Sequence, residues 1–145
     1  MRALPADPGH LIVACDGAAR GNPGPAGIGV FITSEDGSLV AEIAEGIGEA
    51  TNNVAEYTAA IEGLALAERL GAKTVTVRSD SQLLVNQLTG RYRVKTPHLQ
   101  PLHRRVRNLV ASFDRVSFEH VRREMNREAD RLANEGVDAW LAGER

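Results

Sequence analysis

Apolar residues come first in short runs along this chain and later in helical stripes. Leu11-Ile12-Val13-Ala14-Cys15 is a continuous apolar run, and a run of that length bounded by turn residues predicts a buried strand. It ends on Asp16. Three small residues follow, and Gly21-Asn22-Pro23-Gly24-Pro25 supplies the residue types that turns require. The run Ile28-Gly29-Val30-Phe31-Ile32-Thr33 is a second strand, so the first connection is a hairpin. Ser34 to Ser38 carries an Asp-Gly turn signal. From Leu39 to Gly46, Val40, Glu42 and Ala44 alternate with Leu39, Ala41 and Ile43, as expected of an edge strand.

The period then changes. Thr51-Asn52-Asn53 are capping residues, and Val54, Tyr57, Ile61, Leu64 and Leu66 form a stripe with roughly helical spacing that Gly71 closes. Thr74 to Arg78 is a short β-branched strand. It ends at Ser79-Asp80-Ser81, where a helix from Gln82 to Leu88 begins. Strand, helix, strand implies a right-handed crossover and a parallel pair. Gly90 to Thr96 is a basic connection. Pro97 starts a third helix with Leu99, Leu102, Val106, Leu109 and Val110 inward. Val116 to Val121 is the last strand. Asn126 opens the last helix, whose stripe is Ala129, Leu132, Ala133, Val137 and Trp140. The order βββαβααβα predicts an α/β fold, a mixed sheet with helices on both faces.

Composition narrows the class of protein. The chain of 145 residues, 43% hydrophobic and 25% charged, suits one globular domain. Residues 1–10 read as a flexible lead-in without the apolar core of a signal peptide, and 11–141 as the domain. No apolar run is long enough to span a membrane. A single cysteine excludes an internal disulfide and a CxxC metal site, and points to a reducing, cytoplasmic setting. A net charge of −2 argues against a strong grip on nucleic acid, yet Lys and Arg cluster between Arg91 and Arg131, so the second half is locally basic.

Four carboxylates occupy the ends of elements: Asp16 after the first strand, Glu56 early in the first helix, Asp80 between the fourth strand and its helix, Asp130 early in the last helix. Each has a plain reading. Glu56 can complete a capping box with Asn53, Asp80 can be an N-cap, and Asp130 can favour the positive end of a helix dipole. Asp16 resists such a reading, because it follows five apolar residues and precedes no helix. In an open α/β sheet the carboxyl ends of parallel strands and the adjacent helix starts converge on one crevice. Acids gathered there without a basic partner repel one another, and a hard divalent cation with oxygen ligands, such as Mg²⁺, relieves the repulsion.

Four blocks in order, Asp-Gly-x-x-x-Gly-Asn-Pro-Gly-Pro at 16–25, Thr-Asn-Asn-x-x-Glu at 51–56, Ser-Asp-Ser-Gln at 79–82 and Asn-x-x-x-Asp at 126–130, resemble the type 1 ribonuclease H family. The resemblance covers Leu11 to Trp140. It implies a five-stranded sheet of order 3-2-1-4-5 and metal-dependent endonucleolytic cleavage of the RNA strand of RNA–DNA hybrids, leaving 5′-phosphate and 3′-hydroxyl ends. By matching motif, Asp16, Glu56, Asp80 and Asp130 are the metal-binding, catalytic acids for two Mg²⁺ ions, with Mn²⁺ as an alternative. Two metals serve phosphodiester hydrolysis by activating water and stabilising the leaving oxygen. Gly21, Asn22 and Gly24 are implied to lie against ribose 2′-hydroxyls, Asn22 and Thr51 against DNA phosphate, and Asn53 and Gln82 in the minor groove. The implied partner is the hybrid alone, bound by a monomer without a membrane.

Three departures from the family pattern stand out. Ala18 replaces a hydroxyl residue of many members. The connection Thr89–Thr96 leaves no room for an extra basic helix. The last loop, Arg122-Arg123-Glu124-Met125, has no histidine, and the nearby His120 reads as a structural strand residue. Two other readings compete. A 3′–5′ exonuclease on a related sheet needs an acid at position 18, where Ala18 stands. A hybrid-binding module without catalysis needs a lost acid, and all four are present.

Overall fold

The computed structural model describes residues 9–143. Its strands are β1 (His10–Ala19), β2 (Gly24–Ser34), β3 (Leu39–Ala50), β4 (Thr74–Ser79) and β5 (Arg115–His120). Its helices are α1 (Asn52–Arg69), α2 (Gln82–Leu88), α3 (Gln100–Val110) and α4 (Arg127–Leu141). One sheet runs in the order β3-β2-β1-β4-β5. β1, β2 and β3 pair antiparallel, while β1–β4 and β4–β5 are parallel. Order and class are those expected from the sequence.

Strand alternation assigns the two faces of β1. Leu11, Val13, Cys15 and Gly17 face α1, and the first three are buried with Ile28, Val30, Ile32, Tyr57, Ile61, Leu64, Val75 and Val77 in the main core. α3 and the turn that leads into it cover α1, with Val106 of the helix and Leu99 of the turn buried. Ile12, Ala14 and Asp16 belong to the other face, on which α4 lies against β1, β2 and β3. Of the expected stripe of α4, Ala129, Leu132, Ala133 and Val137 are buried and Trp140 is half-buried.

The structure lengthens the first hairpin. β1 continues through Asp16 to Ala19, with Asp16 opposite Gly29 on β2, so this acid lies within a strand and not after one. Only the parallel ladder stops earlier, at Ala14 opposite Arg78. His10, assigned to the lead-in, opens β1, and its ring nitrogens bond the hydroxyls of Thr74 and Thr76 at 2.7 and 2.9 Å. The remaining lead-in, residues 1–8, lies outside the described residues. The turn after β1 contains a cis Asn22–Pro23 peptide.

Candidate active site

Asp16, Glu56 and Asp80 each present a carboxylate oxygen within 4.8 Å of the others. β1, α1 and β4 deliver them for separate reasons. Asp16 is carried by the central strand, and only 6% of its surface is exposed. Glu56 reaches the same point because α1 lies almost on β1. A Cβ on Gly17 would stand 2.3 Å from the Ala55 carbonyl carbon, so no residue with a side chain fits there. The Gly17 amide donates to Glu56 Oε1 at 2.7 Å, and the Ser79 hydroxyl donates to Oε2 at 3.5 Å. Asp80 follows β4 directly.

The helix caps remove the plain readings of two acids. Thr51 is the N-cap of α1, its hydroxyl accepting from Val54 N at 3.2 Å, so Glu56 lies past the first turn and completes no capping box. Ser81, not Asp80, caps α2, accepting from Leu84 N at 3.1 Å. A cap of this kind contributes about 1 kcal/mol, and both are supplied without using an acid of the cluster.

Asp130 lines the same cleft, half-buried, without belonging to the tight group of three. Its place also depends on a missing side chain. A Cβ on Gly29 would stand 2.0 Å from the carbonyl oxygen of Ala129, so α4 descends onto β2 directly opposite Asp16. The Asn126 side chain fixes the start of α4 by donating to the Cys15 carbonyl at 3.0 Å, instead of capping the helix. Asn134, one turn on, donates to the Asp130 carbonyl at 3.0 Å and to its carboxylate at 3.4 Å.

The electrostatics follow from this crowding. Burial, then the Glu56 and Asp80 charges, push Asp16 up to about 10. Burial also pushes Glu56 up to about 7, against the stabilising Gly17 amide. Among the described residues no ion pair involves any of the four acids. All-oxygen donors, buried or half-buried, mutually repelling and without an ion-pair partner among the described residues, fit a hard divalent cation. The thiol of Cys15 is pushed up by burial and by the same acids, which keeps it protonated.

The cleft, about 470 Å³, is further lined by Gly17, Ala18, Ala19, Asn52, Asn53, Ser81, Arg123 and Asn134. Of the residues implied in substrate binding, Asn53 lines it. Thr51 and Gln82 are not among its lining residues: Thr51 caps α1, and exposed Gln82 opens α2 next to the lining Ser81. Gly21, Asn22 and Gly24 form the β1–β2 turn, which is latched to α1: Asn22 Oδ1 accepts from Asn52 N at 3.0 Å, and Asn52 Oδ1 accepts from Ala19 N at 3.2 Å. Asn52 and Asn134 were not singled out for this cleft from the sequence. The bonds that fix Asn52 cross from α1 to the β1–β2 hairpin and leave no local signal, whereas Asn134 bonds Asp130 one turn earlier in its own helix. His120 ends β5 as a strand residue, but it is exposed and does not line the cleft.

A family described as reverse transcriptase-like matches residues 14–136. Bifunctional protein Rv2228c of Mycobacterium tuberculosis is 45% identical over 130 residues, 89% of this chain and 36% of its own length. Ribonuclease HI of Halobacterium salinarum is 46% identical, covering 90% of this chain and 65% of that protein; its crystal structure matches with a TM-score of 0.88 over 98% of the crystallised chain. LC11-RNase H1, isolated from compost by a metagenomic approach, matches in its complex with an RNA/DNA hybrid with a TM-score of 0.86, at 44% identity over 90% of this chain and 99% of that one. The chain thus spans between about a third and two thirds of the length of these two curated relatives.

Proposed function

Because this chain belongs to the ribonuclease HI family, we propose that it is an endonuclease that hydrolyses the RNA strand of RNA–DNA hybrids. The observation that carries this reading is the meeting of Asp16, Glu56 and Asp80 within 4.8 Å, with Asp130 on the wall of the same open cleft. These four acids would hold two divalent cations, Mg²⁺ in the first instance with Mn²⁺ as an alternative. Cations bound there supply the activation of water and the stabilisation of the leaving 3′-oxygen.

The chain's own part is positioning. The Gly17 amide and the Ser79 hydroxyl fix both oxygens of Glu56, and Asn134 orients Asp130. The β1–β2 turn, Gly21 to Gly24, offers backbone groups to ribose 2′-hydroxyls, the feature that separates RNA from DNA. Asn22 and Thr51 meet phosphate of the DNA strand, and Asn53 and Gln82 enter the minor groove. The hybrid complex of LC11-RNase H1 supports a hybrid as the partner. Ala18 disfavours the exonuclease reading, since it offers no ligand two residues after Asp16.

The working unit is residues 11–141, extended by His10, acting as a monomer. Among the described residues no helix is long and apolar enough to cross a membrane, and the lone buried thiol suits a cytoplasmic setting.

The test is cleavage of a labelled RNA–DNA hybrid, single-stranded RNA and duplex DNA, each with Mg²⁺ and with chelator. Cleavage of the hybrid's RNA alone, only with metal, leaving 5′-phosphate and 3′-hydroxyl ends, is the expected result. Recovery of 2′,3′-cyclic phosphate ends would refute the assignment, because it requires attack by the 2′-hydroxyl.

A further inference from the structure

Asp130, Asn134 and Asp138 stand one turn apart along α4 and so share one face of the helix. The first is a candidate metal-binding acid. The other two are gripped from outside the helix by Arg20, the residue that follows β1. Its Nη1 pairs with Asp138 Oδ1 at 2.8 Å, and its Nη2 donates to Asn134 Oδ1 at 3.4 Å, lying 3.5 Å from the Asn134 carbonyl oxygen. Asn134 passes the grip on. Its Nδ2 donates to the Asp130 carbonyl at 3.0 Å and to the Asp130 carboxylate at 3.4 Å. From the guanidinium to the carboxylate, each bond runs from donor to acceptor in the direction of the acid.

Docking of α4 does not require this clip. A Cβ on Gly27 would stand 2.5 Å from the Ala133 carbonyl oxygen, and one on Gly29 2.0 Å from that of Ala129, so the helix already rests on the backbone of β2. An ion pair whose side chains are 42% and 67% exposed adds little stability. What the clip selects is an orientation. With the guanidinium at Oδ1, the Asn134 amide turns its NH₂ to Asp130. Reversed, it would set its oxygen against the carboxylate and its NH₂ against the guanidinium, two repulsive contacts. Arg20 also belongs to the β1–β2 turn, where its amide donates to the Pro25 carbonyl at 2.9 Å. The same turn is latched to α1 through Asn22 and Asn52. It is thus held between the helix that carries Glu56 and the helix that carries Asp130.

We propose that Arg20 is a positioning residue that aims the Asp130 carboxylate through Asn134 and ties that aim to the β1–β2 turn. The inference rests on the hybrid-cleaving reading above, in which the turn meets the RNA strand. Asp130 stands outside the tight group of Asp16, Glu56 and Asp80, so its direction is set on its own helix by what bonds it there. The clip keeps this fourth acid in register with the turn against which the RNA strand lies.

Arg20→Ala, Asn134→Ala and the double variant test the coupling. Each single variant should raise the Mg²⁺ concentration for half-maximal hybrid cleavage by about tenfold, the low end for losing an outer partner of a metal ligand. The double variant should be no worse than Asn134→Ala, because the two residues act in series. The metal-free melting temperature of Arg20→Ala should stay close to that of wild type, since the exposed ion pair contributes little. A second readout needs neither metal nor substrate. In ¹H–¹⁵N spectra of the metal-free protein, the two protons of the Asn134 side-chain amide should move in Arg20→Ala toward the positions of a free asparagine amide. A wild-type Mg²⁺ requirement in Arg20→Ala would overturn the proposal while leaving the hybrid-cleaving reading intact. So would single effects that multiply in the double variant, or an Asn134 amide that Arg20→Ala does not shift. A wild type that leaves the hybrid uncut overturns the hybrid-cleaving reading, and the Asn134 amide signals then decide the clip by themselves.

Discussion

Asp16→Asn should make the metal-free protein more stable at neutral pH, by an amount that grows with pH. In the native state burial and the neighbouring Glu56 and Asp80 charges hold the Asp16 proton up to about 10, whereas an unfolded aspartate releases it near 3.8. Between those values the folded chain binds a proton that the unfolded chain has given up. Stability therefore falls as pH rises through this window, by about 1.4 kcal/mol per pH unit for one proton. Glu56, raised to about 7, shares the same site, so one proton held between the two is the conservative reckoning. Asparagine preserves the shape and the hydrogen-bond donor and does not titrate. Between pH 5 and 7.5 the variant should gain about 3 kcal/mol on wild type, which for a domain of this size is a difference in melting temperature of about 10 °C. Histidines and carboxylates away from the cluster contribute equally to both proteins and cancel. Thermal unfolding of both in chelator, at intervals across that range, measures the effect. Adding Mg²⁺ should stabilise wild type and narrow the gap. Two curves that run parallel, or a variant that is the less stable at pH 7.5, would refute the electrostatic account of the cluster.

Asp80→Asn should abolish hybrid cleavage with the fold retained, because Ser81 and not Asp80 caps α2; a clear drop in metal-free melting temperature would show a structural duty instead. Gly29→Ala forces a methyl group against the Ala129 carbonyl. It should cost at least the about 1–3 kcal/mol typical of overpacking and lower turnover by displacing Asp130, read by denaturant unfolding alongside cleavage. His120→Ala should leave turnover at saturating hybrid and Mg²⁺ nearly unchanged, since His120 is exposed and outside the cleft. A fall of roughly a hundredfold, the low end for losing a general base, would place it in the chemistry.

Much of the fold was legible because its signals are local. The apolar runs at Leu11 and Ile28, the β-branched run at Thr74 and the stripes of α3 and α4 each announce an element by periodicity. The strand extensions were not legible. Pro25 to Gly27 and Ile47 to Ala50 carry no clear apolar period, and they belong to strands only because β2 and β3 pair across them. Five of the nine buried residues of α1 are Ala55, Ala59, Ala60, Gly63 and Ala67, which periodicity underweights and close packing on the sheet rewards. The four acids were found by motif and by strand ends. What brings them together was hidden, because the absence of side chains at Gly17 and Gly29 matters only once a helix backbone is known to lie opposite. Tyr57 shows the same limit: it reads as one more apolar stripe position, yet its buried hydroxyl donates to Gln87 Oε1 at 2.6 Å, a tie from α1 to α2.

The basic connection between α2 and α3 bears on how the molecule meets its substrate before any contact is made. From Ser81 to Phe113 the chain has six Lys or Arg residues and no Asp or Glu, within a protein whose net charge is −2. None of those six enters an ion pair with another described residue. The acids are concentrated elsewhere, the cleft included, so the molecule is an electric dipole larger than its net charge suggests. In the field of a polyanion such a body feels little overall pull and a strong torque. Near the hybrid proposed as its substrate, that torque turns the basic segment between α2 and α3 toward the duplex. Encounter with the proposed hybrid would then be oriented from a distance of about one Debye length, roughly 8–10 Å at physiological salt, with the basic segment leading in a chain that is acidic on paper.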